Sequence, residues 1–185
     1  MKSRYMNSTI LNRYDKDENG NLIIKIYTTK IEDLYEDYDK KSTFIKKDLK
    51  EDLENYLEES VAEIADNSFI INFNFDEKSS VETQNRLKVS IKEYFEYLQF
   101  LEKNKMRDNL RNSLIFISLG VVLIAISLII PAQEKFILKI LTEGVTVGAW
   151  VCLWEAMAII LVNWLPLKKR LKILKKISNA KIVCS

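Results

Sequence analysis

The spacing of apolar residues changes repeatedly along this chain, and each change predicts an element. Asn21 to Thr29 (NLIIKIYTT) is rich in β-branched residues, with Leu22, Ile24 and Ile26 on one face, and predicts a strand. From Ser42 or Thr43, either of which can cap a helix, to about Ala65 the step lengthens to three and four. Ile45, Leu49, Leu53, Tyr56, Leu57, Val61 and Ile64 then form one stripe, opposite a face dense in Lys, Asp and Glu. Ser68 to Phe75 (SFIINFNF) returns to alternation, with Phe69, Ile71, Phe73 and Phe75 on one face. Strand, helix and strand make a βαβ unit whose strands should be parallel and whose crossover should be right-handed.

Ser79-Ser80-Val81-Glu82 offers a capping box with Ser79 as the cap, and no helix breaker follows until Pro131. Leu87, Ile91, Tyr94, Leu98 and Leu101 step by four and three, either to cover the strands or as a seam for self-association. Two apolar stretches come next. Ser113 to Ile130 holds 18 residues without a charge, and Val145 to Leu167 carries a single charge, Glu155. A bilayer core is roughly 30 Å thick and takes about 20 helical residues, so the two stretches predict a transmembrane hairpin. Behind it, LKKRLKILKKIS is basic and amphipathic, with Leu167, Leu171, Leu174 and Ile177 in a stripe. That segment either lies on the anionic leaflet or continues the second span inward onto the long helix. Ala180 to Cys184 (AKIVC) is a candidate third strand, since a two-stranded sheet is marginal alone.

The expected fold is an α+β membrane protein. Residues 1–20 are irregular or disordered, with DKDENG at 15–20 a turn or frayed start. Residues 21–111 form a small cytoplasmic βαβ-type domain ending in a long helix. Residues 112–167 form the hairpin, with spans at about 113–130 and 145–167, and residues 168–185 the basic helix and short strand.

Charge orients this arrangement. Lys103, Lys105, Arg107 and Arg111 precede the first span, and Lys168, Lys169, Arg170, Lys172, Lys175 and Lys176 follow the second. The stretch from Pro131 to Gly144 has only Lys135 and Lys139. The positive-inside rule therefore places both termini in the cytoplasm, across a cell inner membrane. The first 20 residues lack an apolar h-region, so the first span should act as its own insertion signal. The lysines and arginine after the second span are candidate lipid-headgroup contacts, and Trp164, beside Pro166, a candidate interfacial anchor.

Chemistry is sparse. The chain has no histidine, its two cysteines have no zinc spacing, and none of its four glycines belongs to a phosphate-binding loop. No cofactor and no metal is expected. A net charge of +2 gives no argument for nucleic acid. DKDENG lacks the downstream carboxylates of a calcium loop. Attention falls on Glu155. Gly144, Gly148, Val151, Cys152 and Glu155 share a face of the second span, and Ser113, Gly120 and Ser127 share one of the first. Packing these faces together would set Glu155 near Gly120, as a hydrogen-bonded structural group or as an intramembrane functional site. Trp150 and Trp154 read as packing or lipid-facing residues.

The run EGVTVGAWVCLWEAMAIILVNWLPLKKRLKILKKISNAKIV resembles the C-terminal part of a widespread group of small, uncharacterised bacterial and archaeal two-span membrane proteins. The shared features are Gly148, Trp150, Trp154, Trp164, Pro166 and the basic stretch 168–176, together with DLYEDYDKKS at 33–42. Ala156, Ala158 and Asn163 stand where the group often has proline, glutamate and aspartate. The resemblance implies architecture and no activity. The expected function is a membrane-anchored cytoplasmic interaction or regulatory module that self-associates or meets another membrane protein. The alternatives are a homo-oligomeric pore or proton-linked transport component using Glu155 and, last, a membrane-bound enzyme.

Overall fold

The computed structural model describes residues 11–36, 48–77, 80–129 and 136–184. The expected caps at Ser42, Thr43 and Ser79, and residues 1–10 and 130–135, lie outside the described residues. The chain divides into two compact units. One comprises Met1–Phe100 with Arg170–Ser185, and the other Leu101–Lys169.

The first unit is a four-stranded mixed sheet with helices on its apolar face. Strands β1 (Asp15–Lys16), β2 (Leu22–Thr28), β3 (Phe69–Phe75) and β4 (Lys181–Cys184) lie in that order. β1 is antiparallel to β2, whereas β2–β3 and β3–β4 are parallel. Register sets Ile24 beside Ile71, Ile26 beside Phe73, and Ile71 beside Ile182, so these apolar side chains share one face. Onto it pack Leu57, Val61 and Ile64 of α1 (Glu51–Ile64), Leu87, Ile91 and Phe95 of α2 (Val81–Ile129), and Leu174 and Ile177 of α4 (Leu165–Ser178). Of the expected seam, Leu87, Ile91, Tyr94 and Leu98 therefore cover the strands.

At 15–20 the turn reading holds, with Asp15 and Lys16 paired as β1 and Asp17–Gly20 turning the chain. Both oxygens of Asp17 are taken by the turn: Oδ1 accepts the Asn19 and Asn21 backbone N–H groups at 2.9 and 2.8 Å, and Oδ2 the Asn21 amide. Gly20, at φ 81°, supplies the left-handed residue the turn requires. α1 begins at Glu51 instead of near Ser42, because Leu49 pairs with Tyr35 in an antiparallel bridge. Leu49 is buried from extended backbone, and its i+4 relation to Leu53 makes it look helical in sequence. At α2 the cap is Ser80, whose Oγ accepts the Thr83 N–H at 3.2 Å, while Glu82 pairs with Arg86.

The second unit is an antiparallel pair of helical segments from α2 and α3 (Phe136–Ala158). α3 starts eight residues ahead of Gly144, so much of the expected loop is helix. It runs through a π-helical stretch, Ile159–Trp164, into α4. Pro166 explains the break in phase, since it offers no N–H and its ring crowds the carbonyl one turn back. α2 and the run Phe136–Ser178 are each long and apolar enough to cross a membrane. Along both, large apolar side chains such as Ile115, Val121, Leu128 and Ile137 are exposed.

In chain order the hairpin is an insertion between β3 and β4. The C-terminal strand and the core residues Leu174 and Ile177 come after it, yet they belong to the first unit.

Candidate functional site

The hairpin has two unlike faces. The inner one is built from small residues. Gly120 is buried, and a Cβ there would meet Leu153 at 3.0 Å and the Ala149 carbonyl at 3.3 Å. Ala149 and Ala156 are buried opposite it. Ser113 Oγ donates to the Ala156 carbonyl at 3.0 Å, just ahead of the π-helical stretch where backbone pairing is displaced. The hydroxyls of Ser127 and Thr146 lie 2.8 Å apart. Ser113, Gly120 and Ser127 thus meet Ala156, Ala149 and Thr146 in antiparallel order. Close approach of two backbones through small residues, with hydroxyls covering stray carbonyls, is how apolar helices associate without a hydrophobic driving force.

Glu155 lies on the other face. The expectation that it shares an interface with Gly120 is corrected, because α3 turns Ala149, Leu153 and Ala156 inward. Gly144 has nothing within 4 Å of a would-be Cβ, and Gly148 meets only Leu123 at 3.8 Å. The Gly144–Gly148 step is therefore not the close-approach surface. Leu153, two residues from Glu155, touches Gly120, so the level along the hairpin matches while the facing does not. Glu155 is exposed and borders a shallow groove of about 500 Å³ lined by Val147, Trp150, Val151, Leu153, Trp154 and Met157. Trp150 and Trp154 stand open, 69% and 70% exposed. The signal for the true inner face was in the sequence: Ala149 and Ala156 repeat by seven, as Ser113, Gly120 and Ser127 do.

The basic residues after the second span do not act as one group. Within the first unit, the Arg170 guanidinium grips Glu58, with Nε donating to both carboxylate oxygens at 3.1 and 3.0 Å. Its Nη2 reaches Glu54 Oε1 at 2.7 Å. The Tyr94 hydroxyl donates to Glu54 Oε2 at 2.6 Å. This half-buried network joins α1, α2 and α4. Burial first, and then the Glu54 carboxylate, push the Tyr94 phenol well above its ordinary value. Lys172 and Lys176 both reach Asp66 Oδ1, at 3.0 and 2.8 Å. Hydrogen bonds from Lys176 and Lys172 hold the Asp66 carboxyl down to about 2. Lys176 also donates to the Ala65 carbonyl, at the end of α1. Arg170, Lys172 and Lys176 are thus engaged with protein carboxylates and not set aside for headgroups. In the second unit Lys168 Nζ sits 5.2 Å from the Trp164 ring centroid, a cation–π contact, and Lys169 is exposed. Lys175, in the first unit, is exposed as well.

Among the described residues no group of three His, Cys, Asp or Glu side chains is placed to hold a metal ion. No protein-family model, curated protein or solved structure matches this chain.

Proposed function

We propose that this chain is a two-span inner-membrane protein with both termini in the cytoplasm. It anchors a small α/β unit and docks sideways on a neighbouring transmembrane helix through the outer face of α3. The observation that carries this reading is the setting of Glu155: a carboxyl bordering an exposed apolar groove that two open tryptophans also line. A charged or polar group in hydrocarbon is costly, by about 2.5–3.5 kcal/mol on insertion scales, and such groups are kept where another helix satisfies them. The hairpin's inner face meets its polar needs with Ser113, Ser127 and Thr146 and leaves Glu155 out. The apolar lining of the groove supports a docking surface over a water-filled path for ions or protons.

The exposed apolar side chains along α2 and α3 support burial in lipid, and the basic residues at both borders support the orientation. Trp164, with Lys168 over its ring, fits the cytoplasmic interface. Lys168, Lys169 and Lys175 are the residues that keep a headgroup role in this reading.

A photoreactive residue at Trp154, and separately at Leu153, tests it in native membranes. The Trp154 position should form an adduct with a second polypeptide, while the Leu153 position should not. Lipid adducts alone from Trp154 would overturn lateral docking.

A further inference from the structure

A narrow cleft in the second unit lies between α2 and the π-helical stretch. It holds about 120 Å³, its walls are apolar, and Asn109, Leu110, Ile159, Ile160 and Trp164 line it. The π-helical stretch, Ile159–Trp164, makes one wall. Five residues of α-helix turn about 140° beyond a full circle, which would separate Ile159 from Trp164. Pairing of i with i+5 brings the two back onto one face, beside Ile160. Trp164 also carries the Lys168 amine, 5.2 Å from its ring centroid. Lys168 meets no carboxylate among the described residues, and Lys169 beside it is exposed. The α2 carboxylates ahead of Leu110, Glu102 and Asp108, are held by Lys105 and Arg111 at 3.1 and 3.4 Å.

We infer that this cleft is a binding site for an anionic phospholipid, with one acyl chain against Ile159, Ile160 and Trp164 and the phosphate on Lys168. This rests on the membrane-anchored reading above, in which Trp164 stands at the cytoplasmic interface. It gives Lys168 a single bound ligand in place of a diffuse layer of headgroups. Each half of the lipid answers to one half of the site. A free phosphate ion would leave the apolar walls unfilled, and an acyl chain alone would leave the amine unmatched. A zwitterionic headgroup brings its own cation toward Lys168 and loses much of the Coulombic gain. Tryptophan suits the junction, because its ring is apolar at the cleft and attracts a cation over its face. The depth agrees as well. Trp164 and Lys168 are about 6 Å apart along the helix axis, four residues at 1.5 Å each. That is close to the roughly 5–7 Å that the headgroup layer adds to each side of the hydrocarbon core.

The test uses full-length chain carrying Trp150→Phe and Trp154→Phe, so that Trp164 is the one tryptophan left. The chain is placed in phosphatidylcholine vesicles doped with phosphatidylglycerol, and bromine on the acyl chains of one lipid or the other quenches Trp164 on contact. Brominated phosphatidylglycerol should quench roughly fivefold more effectively per mole than brominated phosphatidylcholine, the preference expected from one cation near the surface. Lys168→Gln should bring the two lipids within about twofold of each other, and Lys168→Arg should keep the preference. Ile160→Phe, which fills the cleft and leaves the amine, should also bring them within about twofold. Equal quenching by the two lipids in the starting chain would overturn the site and leave the anchor standing. A preference that survives Lys168→Gln or Ile160→Phe would overturn the site and leave only a general surface attraction. A wild-type chain whose three tryptophans are quenched by neither lipid would overturn the anchored reading, and this inference with it.

Discussion

The two units handle polar groups in opposite ways. In the α/β unit, Arg170, Glu54, Glu58 and Tyr94 are drawn together until each charge has a partner, and the aliphatic side chains of the sheet are covered on one face. In the hairpin, hydroxyls and backbone carbonyls do the pairing, few side chains are buried, and the Glu155 carboxyl is left on α3's outer groove beside open tryptophans. A unit folded for water hides its apolar atoms and can expose charge freely. A unit suited to lipid exposes apolar atoms freely and must account for every charge. The same chain follows both rules within one continuous helix, α2, which contributes Leu87, Ile91 and Phe95 to the first unit and Ser113 and Gly120 to the second.

The comparison breaks most visibly at the cores. Phe73→Ala removes a fully buried ring from the sheet and should cost about 3–5 kcal/mol of α/β-unit stability. Leu128→Ala, at a position 81% exposed on the hairpin, should change unfolding by less than about 0.5 kcal/mol. Urea titration in detergent, followed separately at each unit, measures both. Next comes Arg170→Ala, which leaves Glu54 and Glu58 half-buried without their cation. We expect a loss of about 1–3 kcal/mol, part of which Glu58→Gln in the same chain should restore. Gly120→Val should cost a similar amount in the hairpin, about 1–3 kcal/mol, because its Cβ meets Leu153 and the Ala149 carbonyl. Smaller still is Ser113→Ala, at about 0.5–1.5 kcal/mol, from the Ala156 carbonyl that loses its donor.

The least effect sharpens the charge side of the comparison. Tyr94 is held protonated in the folded unit above its unfolded value near 10, chiefly by burial. Its contribution is complete below pH 10 and is lost as pH rises beyond it, since the unfolded chain releases the proton first. Tyr14 and Tyr35 are raised in the same direction. Unit stability should therefore fall above pH 10, and Tyr94→Phe should flatten part of that fall while leaving neutral-pH stability less affected. An alkaline limb identical in wild type and Tyr94→Phe would remove Tyr94 from this account.

Elements built on a clear period were readable from the residues. Leu22, Ile24 and Ile26 alternate, and so do Ile71 and Phe73, because a half-covered sheet has one wet face and one dry face. The parallel pairing of β2 with β3 and the strand at the C-terminus follow from the same logic. What failed were positions where two structures share a spacing. Leu49 sits four residues before Leu53 and is buried from a bridge instead of a helix. Glu155 is the larger miss. On a water-exposed helix the polar side reveals which side is buried, but α3 is apolar nearly all round, so its stripe carries no phase. Glycine spacing was read as the close-approach surface, whereas Ala149 and Ala156 are the residues that meet Gly120 and Ser113. The basic segment shows the same limit: a cluster of lysines in sequence says nothing of the acidic helix it folds against. Asp66, Glu54 and Glu58, each more than a hundred residues away, turn three of its six cations into internal partners.

The two-span reading places lipid around the hairpin and both of its ends on one side of the membrane. Labelling of single cysteines with a membrane-impermeant maleimide tests this most directly, in the chain carrying Cys152→Ser and Cys184→Ser. Lys16→Cys and Lys175→Cys should stay unlabelled in intact cells and react once the membrane is permeabilised, while Gln133→Cys should react from outside in intact cells. Labelling of Lys16→Cys or Lys175→Cys from outside, or protection of Gln133→Cys until permeabilisation, would contradict the two-span arrangement.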